Sequence, residues 1–312
     1  MDTITLTNGI AGEILEITTA NPNGFYQAIS EPGSMPAARI FGQLFLPHGQ
    51  GPHPVVIVVP GSLGIAASHV AKADMLTDAG IGACLIDPFG ERGVTSTVAN
   101  QAQYSFAASA WDVLASSRML CNRADVDASR IGAQGHSRGG AAVLSAACIT
   151  RLTGTSDRPL RAVYGAYPWC GQQFENPLVG DTRVRSIIGD RDEWCLPQQV
   201  QAHMHAIRLT GGDASCRIIA GAQHSFDRDT PVELIEDASV SPSAPTVYIA
   251  DDGALIHPLT GAPDPTLGER ELMIYGMKAG YGVRGAKIGS EGNQSELFHE
   301  DMMNYWQAVM AG

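Results

Sequence analysis

The sequence is short of positive charge and of long apolar runs. In its 312 residues, 20 Lys and Arg face 32 Asp and Glu, which gives a net charge of −12. That balance argues against nucleic acids and anionic membranes as partners. The longest apolar run, Val55–Val59, is far shorter than the about 20 residues that cross a bilayer. These shortages favour a soluble protein and indicate little else about its ligand.

The N-terminal residues and the cysteines both favour a cytoplasmic protein. Met1 is followed by neither a basic nor an apolar segment, so we expect no signal peptide. The six cysteines have no tight, regular spacing, which is typical of reduced thiols rather than of a disulfide framework. We therefore expect cytoplasmic localisation.

Apolar segments typical of strands alternate with segments typical of helices. This order predicts an α/β fold with a mostly parallel, doubly wound sheet that has helices on both faces. The predicted strands are 12–18, 38–46, 54–59, 82–86, 131–135, 161–166, 183–188 and 216–220. The predicted helices are 68–79, 98–121, 139–150, 197–209, 269–279 and 295–310.

The alternation breaks down between residues 228 and 292, which are rich in Pro, Gly, Asp and Ser. Short apolar pieces such as 247–250 interrupt this stretch. A long irregular insertion with apolar residues is more typical of a cap over a site than of a linker. We expect a single domain over 1–312 with a cap-like insertion at 228–292.

Residues 135–139, Gly-His-Ser-Arg-Gly, match the pattern G-x-S-x-G between a predicted strand and an Ala-rich helix. In such a turn the glycines avoid a collision with neighbouring backbone. The start of the helix offers an N–H group and a positive dipole end to a developing oxyanion. The pattern predicts Ser137 as a nucleophile; the alternative is a serine that only caps the helix.

A serine nucleophile needs a base and an orienting acid, which follow it in the chain order Ser, Asp or Glu, His. Asp192 follows the strand 183–188, and His224 follows the strand 216–220. Both positions are carboxyl ends of strands, where ligands bind in α/β sheets. Asp190 competes for the acid role, but the spacing Gly-x-x-Asp favours Asp192. Taken alone, each would also fit a solvated turn or a surface loop.

The oxyanion hole needs a second N–H from the loop after the strand 54–59. Within Pro60–Gly64, Ser62 is the predicted backbone donor beside Arg138, although a plain turn would also fit. Among the histidines, His136 is expected to point into the core. His203 and His205 are two residues apart on a helix and diverge, so we expect no metal site.

These motifs resemble the dienelactone hydrolase family of the α/β-hydrolase fold. The resemblance covers about residues 35–227 and the last helix, and it is carried by residues 87–93 (DPFGERG), 135–139 (GHSRG), 167–168 (YP), 189–194 (GDRDEW) and 221–227 (GAQHSFD). In this family the first of these loops lies near the active site. The resemblance therefore implies that Arg92 binds substrate or holds the loop; a surface salt bridge is the alternative.

The chain departs from the dienelactone-cleaving members at two positions. Those members use Cys as nucleophile where this chain has Ser137, and they carry a Glu where it has Pro60-Gly61. Ser with His and Asp suits general ester hydrolysis. We expect a serine hydrolase that cleaves a carboxylic ester or lactone through an acyl-enzyme, without metal or organic cofactor. An amidase, thioesterase or acyltransferase, and a non-catalytic binding protein of the same fold, are the alternatives.

Two cysteines and two tryptophans follow predicted strand ends near the site. Cys170 and Cys195 could form a disulfide, but two reduced, buried thiols fit a cytoplasmic protein better. Trp169 and Trp194 are expected to wall the acyl or the alcohol pocket, with core packing as the alternative. A homodimer is compatible with the sequence.

Overall fold

The structure is a computed structural model of the chain and describes residues 2–152 and 160–311. The strands are β1 (Glu13–Ala20), β2 (Ala37–Phe45), β3 (His53–Val59), β4 (Gly82–Asp87), β5 (Val126–His136), β6 (Ala162–Ala166), β7 (Gln172–Phe174), β8 (Arg183–Gly189), β9 (Ala214–Ile219), β10 (Glu233–Val240), β11 (Val247–Ile249), β12 (Leu255–Ile256), β13 (Pro263–Asp264) and β14 (Val283–Ile288). The helices are α1 (Phe25–Ser30), α2 (Ala67–Asp78), α3 (Phe106–Cys121), α4 (Arg138–Leu152), α5 (Pro197–Leu209), α6 (Glu269–Lys278) and α7 (Gln294–Met310). In this part of the chain every helix is too short or too polar to cross a membrane.

The largest sheet has eight strands in the order β1-β2-β4-β3-β5-β6-β8-β9. Neighbours are parallel from β4 to β9 in that order, whereas β1 and β2 add an antiparallel edge. Residues 54–59 of β3 are all buried, as expected for a strand that is covered on both faces. The predicted α/β class, with a mostly parallel sheet flanked by helices, is confirmed.

The segment 98–105 differs from the prediction of one helix over 98–121, because α3 begins only at Phe106. Ser105 is the N-cap of α3: its Oγ accepts a hydrogen bond from the N–H of Ala108 at 2.9 Å. Further upstream, the N–H of Thr97 donates to the carbonyl of Ser62 at 2.8 Å. The segment is thus a loop that lies against the carboxyl end of β3, beside the predicted site.

The last helix, α7, packs closely on the sheet. Trp306 is fully buried and donates from its indole Nε1 to Oε1 of Gln134 at 2.7 Å. A Cβ at Gly132 would lie 2.5 Å from the ring of Trp306, so only glycine lets the ring approach the strand. Asp301 accepts hydrogen bonds from Tyr164 at 3.0 Å and from Arg185 at 2.8 Å. Apolar and ionic contacts together hold α7 under the sheet.

The segment 228–292 folds as two small sheets and a helix. Strands β10 and β14 pair antiparallel, and β11 pairs in parallel with β7, with Val247 opposite Gln172. β12 and β13 extend the second sheet, and the predicted helix at 269–279 is present as α6. The pairing of β7 with β11 ties this segment to the main body. Its role as a cap stays a prediction.

A buried carboxylate also joins this segment to the main body. Glu269, the first residue of α6, is 4% exposed and accepts hydrogen bonds from the N–H groups of Phe106 at 2.7 Å and Ala107 at 3.3 Å. The first N–H groups of a helix lack partners within it, and here the carboxylate supplies them. Burial raises the pKa of Glu269 to about 7, although the two N–H donors and Arg138 lower it.

Candidate active site

Ser137 stands in a sharp turn between β5 and α4. Its φ of 55° lies in the left-handed region, which costs a non-glycine residue on the order of 1–3 kcal/mol. A Cβ at Gly135 would lie 1.9 Å from the carbonyl of Gly139, and a Cβ at Gly139 would lie 2.5 Å from the carbonyl of Pro60. Both glycines of the motif are therefore required by the backbone, as the sequence predicted for a nucleophile elbow.

Asp192 and His224 form a buried pair at the ends of β8 and β9. Nδ1 of His224 lies 2.7 Å from Oδ2 of Asp192, and the other carboxylate oxygen accepts from the N–H groups of Trp194 and Cys195 at 2.9 and 2.8 Å. With Nδ1–H donating to the carboxylate, Nε2 is left to take a proton. The competing Asp190 is exposed and accepts instead from the N–H of Gly221 at 2.6 Å.

Ser137 and His224 line the same small cavity of about 30 Å³. Within residues 2–152 and 160–311, no hydrogen bond joins the Ser137 hydroxyl to the His224 ring; Oγ of Ser137 lies 3.9 Å from Sγ of Cys195. Hydrogen bonds of this kind often tighten only when substrate binds. Ser137 and His224 thus line one cavity without a hydrogen bond between their side chains.

The predicted oxyanion donors flank Ser137. Gly61 and Ser62 line the small cavity, and a Cβ at Gly61 would lie 3.3 Å from the Cβ of Ser137, so this loop touches the nucleophile elbow. Arg138 is the first residue of α4, and the first N–H groups of a helix have no partner within the helix. The loop that carries Ser62 and the start of α4 thus lie next to Ser137; donation by the N–H groups of Ser62 and Arg138 to an oxyanion stays a prediction.

Aromatic rings hold the His224 imidazole in place. Trp194 stacks on it with ring centroids 5.0 Å apart, and Tyr167 packs its edge against it at 4.7 Å. A second cavity, of about 540 Å³, is lined by Ser137, Trp194 and Trp169, and Trp169 is itself stacked on Phe106 at 4.4 Å. Both predicted tryptophans therefore line a cavity next to Ser137.

The sequence also matches a known protein family. A model of the dienelactone hydrolase family matches residues 40–244, about two thirds of the chain. This chain belongs to the dienelactone hydrolase family. The resemblance deduced from the motifs is confirmed, and so is the expectation of an ester hydrolase. A search of curated proteins gives no match.

Three solved structures share the fold with this family member at low sequence identity. The structure named m3DLH is 16% identical, with 96% of this chain and 99% of that chain covered and a TM-score of 0.59. A dienelactone hydrolase-like promiscuous phosphotriesterase, P91, from metagenomic libraries is 16% identical, with 96% and 100% covered and a TM-score of 0.56. The esterase Est22 is 15% identical, with 69% and 74% covered and a TM-score of 0.52.

Arg92 of this dienelactone hydrolase family member does not reach the cavities. Its guanidinium forms two hydrogen bonds with the carboxylate of Asp112, at 2.7 and 3.0 Å, and its side chain is 8% exposed. It also donates to the carbonyl of Pro88 at 2.8 Å. These contacts support the loop-holding alternative through a buried ion pair, and they do not support substrate binding or a surface salt bridge.

The side chain of Arg138 has a role that the sequence did not predict. Its guanidinium lies between the rings of Tyr104 and Phe106, 4.3 and 4.0 Å from their centroids, and donates to the carbonyls of Tyr104 at 2.6 Å and Gln101 at 3.1 Å. The residue after Ser137 therefore fixes the loop that precedes α3, which lies against the site.

A buried ion pair beneath His224 was also missed. Nζ of Lys72 lies 2.5 Å from Oδ2 of Asp227, both side chains are fully buried, and the Tyr167 hydroxyl donates to the same carboxylate at 2.7 Å. Burial alone would raise the pKa of Asp227, but Lys72 and the hydrogen bonds hold that pKa well below its ordinary value. Asp227 ends the motif 221–227, whereas nothing in the sequence around Lys72 indicated its partner.

The structure also bears on the predictions for two cysteines and two histidines. Cys170 and Cys195 are buried free thiols, so the disulfide alternative is not formed. Burial and the nearby Asp192 raise the pKa of Cys195 well above its ordinary value. His203 is buried and His205 is exposed, as expected from their spacing. Among the described residues, no group of three or more Asp, Glu, His or Cys side chains is arranged to hold a metal ion.

Proposed function

We propose that this protein is a serine esterase that cleaves carboxylic esters, lactones included, through an acyl-enzyme. Ser137 attacks the ester carbonyl while Nε2 of His224 takes its proton. Asp192 keeps the imidazole in the required tautomer and stabilises its charged form. The N–H groups of Ser62 and Arg138 donate to the oxyanion. Water, activated by His224, then releases the acid.

The observation that carries this proposal is the buried Asp192–His224 hydrogen bond at the cavity that Ser137 also lines. The carboxylate oxygen lies 2.7 Å from Nδ1, which directs Nε2 rather than Nδ1 to proton transfer. The strained φ of 55° at Ser137 supports the same conclusion, because such strain is kept at functional sites. A serine that merely capped α4 would not need this conformation.

Labelling with a fluorophosphonate tests the nucleophile directly. The purified protein is treated with the probe and the modified residue is located by mass spectrometry. We expect the label on Ser137, loss of labelling in Ser137→Ala, and loss of ester hydrolysis by a factor of about 10⁴ or more in that variant. Ser186→Ala is the matched control, since Ser186 is also buried but bonds to the sulfur of Met204 at 3.6 Å, away from both cavities.

The same samples are given amides and thioesters with the same acyl group as the ester. We expect the ester to be hydrolysed fastest. Labelling at another residue, or full activity in Ser137→Ala, would contradict the proposal. A protein that neither labels nor hydrolyses any of these compounds would have a binding role instead.

A further inference from the structure

Ser137 lies between two cavities of very different size. One has a volume of about 540 Å³ and the other of about 30 Å³. Ser137 and Trp194 line both cavities. A substrate whose ester carbonyl is bound at Ser137 must therefore place its two ends in unequal spaces.

The large cavity has an apolar and aromatic wall that comes from both parts of the chain. Phe106 and Trp169 belong to the main body, whereas Met273 and Ile274 lie on α6 of the insertion. Its volume is typical of pockets that enclose a whole small-molecule group. This cavity suits a bulky group with a large apolar surface.

The small cavity contains the proposed base. His224 lines it together with Ser62, Val98 and Ile288, while the residues of the large cavity include Ser137 and Arg138 but not, within the described part of the chain, His224. Its volume of about 30 Å³ is small beside the about 540 Å³ of the other cavity. The space beside the imidazole therefore accepts only a small group.

The chemistry of acyl transfer decides which end of the substrate lies where. The histidine that takes the serine proton must return it to the leaving-group oxygen, so the leaving group has to face His224. The carbonyl oxygen faces the N–H groups of Ser62 and Arg138, so it shares the small cavity, which Ser62 also lines, with the leaving group. The acyl chain, the remaining substituent of the carbonyl carbon, therefore points towards the large cavity.

We propose that the large cavity binds the acyl group and that the small cavity receives the leaving alcohol. The preferred substrates are then esters that combine a bulky, mainly apolar acyl group with a small alcohol such as methanol. The insertion sets the acyl preference through Met273 and Ile274. Trp169 belongs to the acyl pocket, and Trp194 separates the two. This assignment rests on the serine esterase function proposed above.

Two series of esters test the assignment with the full-length protein. In the first, methyl esters of straight-chain acids are lengthened from acetate to decanoate; in the second, one long-chain acid is esterified with methanol, ethanol, butanol and hexanol. We expect kcat/KM to rise by about fourfold per buried methylene in the first series until the cavity is filled. In the second series we expect it to fall by tenfold or more between methanol and hexanol.

The outcomes separate this proposal from the function on which it rests. Hydrolysis that depends on Ser137 but favours short acids or long alcohols, or shows no preference, overturns the assignment and leaves the esterase intact. Failure to hydrolyse any ester in a Ser137-dependent way overturns the esterase function itself.

Variants in each wall sharpen the test. Met273→Trp should shift the optimum of the first series towards shorter acids by several carbons. It should lower kcat/KM for all members of the second series alike and leave the ratio between methanol and hexanol esters unchanged. Val98→Ala or Ile288→Ala should weaken the penalty on long alcohols at least threefold and leave the first series unchanged. Two positions are offered because Ile288 is 4% exposed and its truncation could lower stability. Leu209→Trp, at a residue of α5 that is 75% exposed and outside both cavities, is the control.

Discussion

The central sheet and the insertion contribute different things to the same site. Ser137, Asp192 and His224 follow β5, β8 and β9, and hydrogen bonds and close backbone contacts fix their turns. Between residues 239 and 284 the insertion lines the large cavity but supplies none of these three side chains. Under the proposed function, the reactive side chains belong to the sheet and the insertion contributes to selectivity, so the two should respond separately to mutation.

The largest effect is expected at Asp192, the acid of the proposed triad. Asp192→Asn should lower kcat by about 10⁴-fold, because the amide no longer holds His224 in the tautomer that accepts the serine proton. Asp190→Asn is the matched control and should change kcat by less than about threefold, since the carboxylate of Asp190 bonds to Gly221 instead. Steady-state kinetics on one ester measures both. Equal losses in the two variants would contradict the pairing seen here.

The ion pair beneath His224 should be the next most sensitive feature. Lys72→Met leaves the Asp227 carboxylate buried without its cation, which typically costs about 3–5 kcal/mol in the free energy of unfolding. Urea denaturation measures this loss. Lys278→Met, at an exposed lysine of the insertion helix α6, should change it by less than about 0.5 kcal/mol. A loss below 1 kcal/mol in Lys72→Met would show that the sheet tolerates the uncompensated charge.

The burial of Glu269 should make the free energy of unfolding depend on pH. Burial raises the pKa of Glu269 from 4.5 to about 7, so the folded protein binds this proton more tightly than the unfolded chain does. The stabilisation is complete below about pH 4.5 and is lost as the pH rises through about 7. Relative to Glu269→Gln, the free energy of unfolding of the wild type should therefore fall by about 2–3 kcal/mol between pH 5 and pH 8.

Urea denaturation at several pH values measures this dependence. Glu271→Gln, an exposed carboxylate in the same turn of α6, should leave the pH dependence of the wild type unchanged. Parallel pH curves for the wild type and Glu269→Gln would show that folding leaves the pKa of Glu269 at its ordinary value.

The smallest effect is expected at the exposed surface of the insertion. Leu259 is 74% exposed, and Leu259→Ser should change the free energy of unfolding by less than about 0.5 kcal/mol. Leu255 is 4% exposed and belongs to the main core, so Leu255→Ala should cost about 2–4 kcal/mol. Denaturation of both variants shows whether the insertion shares the core of the sheet. Equally small changes in the free energy of unfolding for both variants would show that the insertion does not share the core of the sheet.

Short-range patterns predicted the fold class, which is confirmed, and the three side chains of the proposed triad. The glycines around Ser137 and the order of Asp192 and His224 are local features, and the backbone collisions at Gly135 and Gly139 explain why the pattern is informative. The predicted start of the helix at residue 98 was wrong. The apolar side chains from residue 98 onwards fit a helical spacing, but the helix begins at Phe106, after its N-cap Ser105.

Long-range pairs could not be deduced in the same way. Lys72 and Asp227 are 155 positions apart, and neither has a neighbour that indicates the other. Arg92 belonged to a recognised loop, but only the fold shows that Asp112 neutralises it. The parallel pairing of β7 with β11 also depends on how the insertion folds back on the main body. Such contacts depend on tertiary packing rather than on local pattern.

The pairing of β7 with β11 has a consequence for attempts to shorten this protein. In its small sheet β7 lies at the end of the order β13-β12-β11-β7, so removing residues 228–292 would leave its backbone N–H and C=O groups without partners. An exposed strand edge is a template for association with other chains. A deletion intended to open the large cavity is therefore expected to yield aggregates in place of an enzyme with broader selectivity.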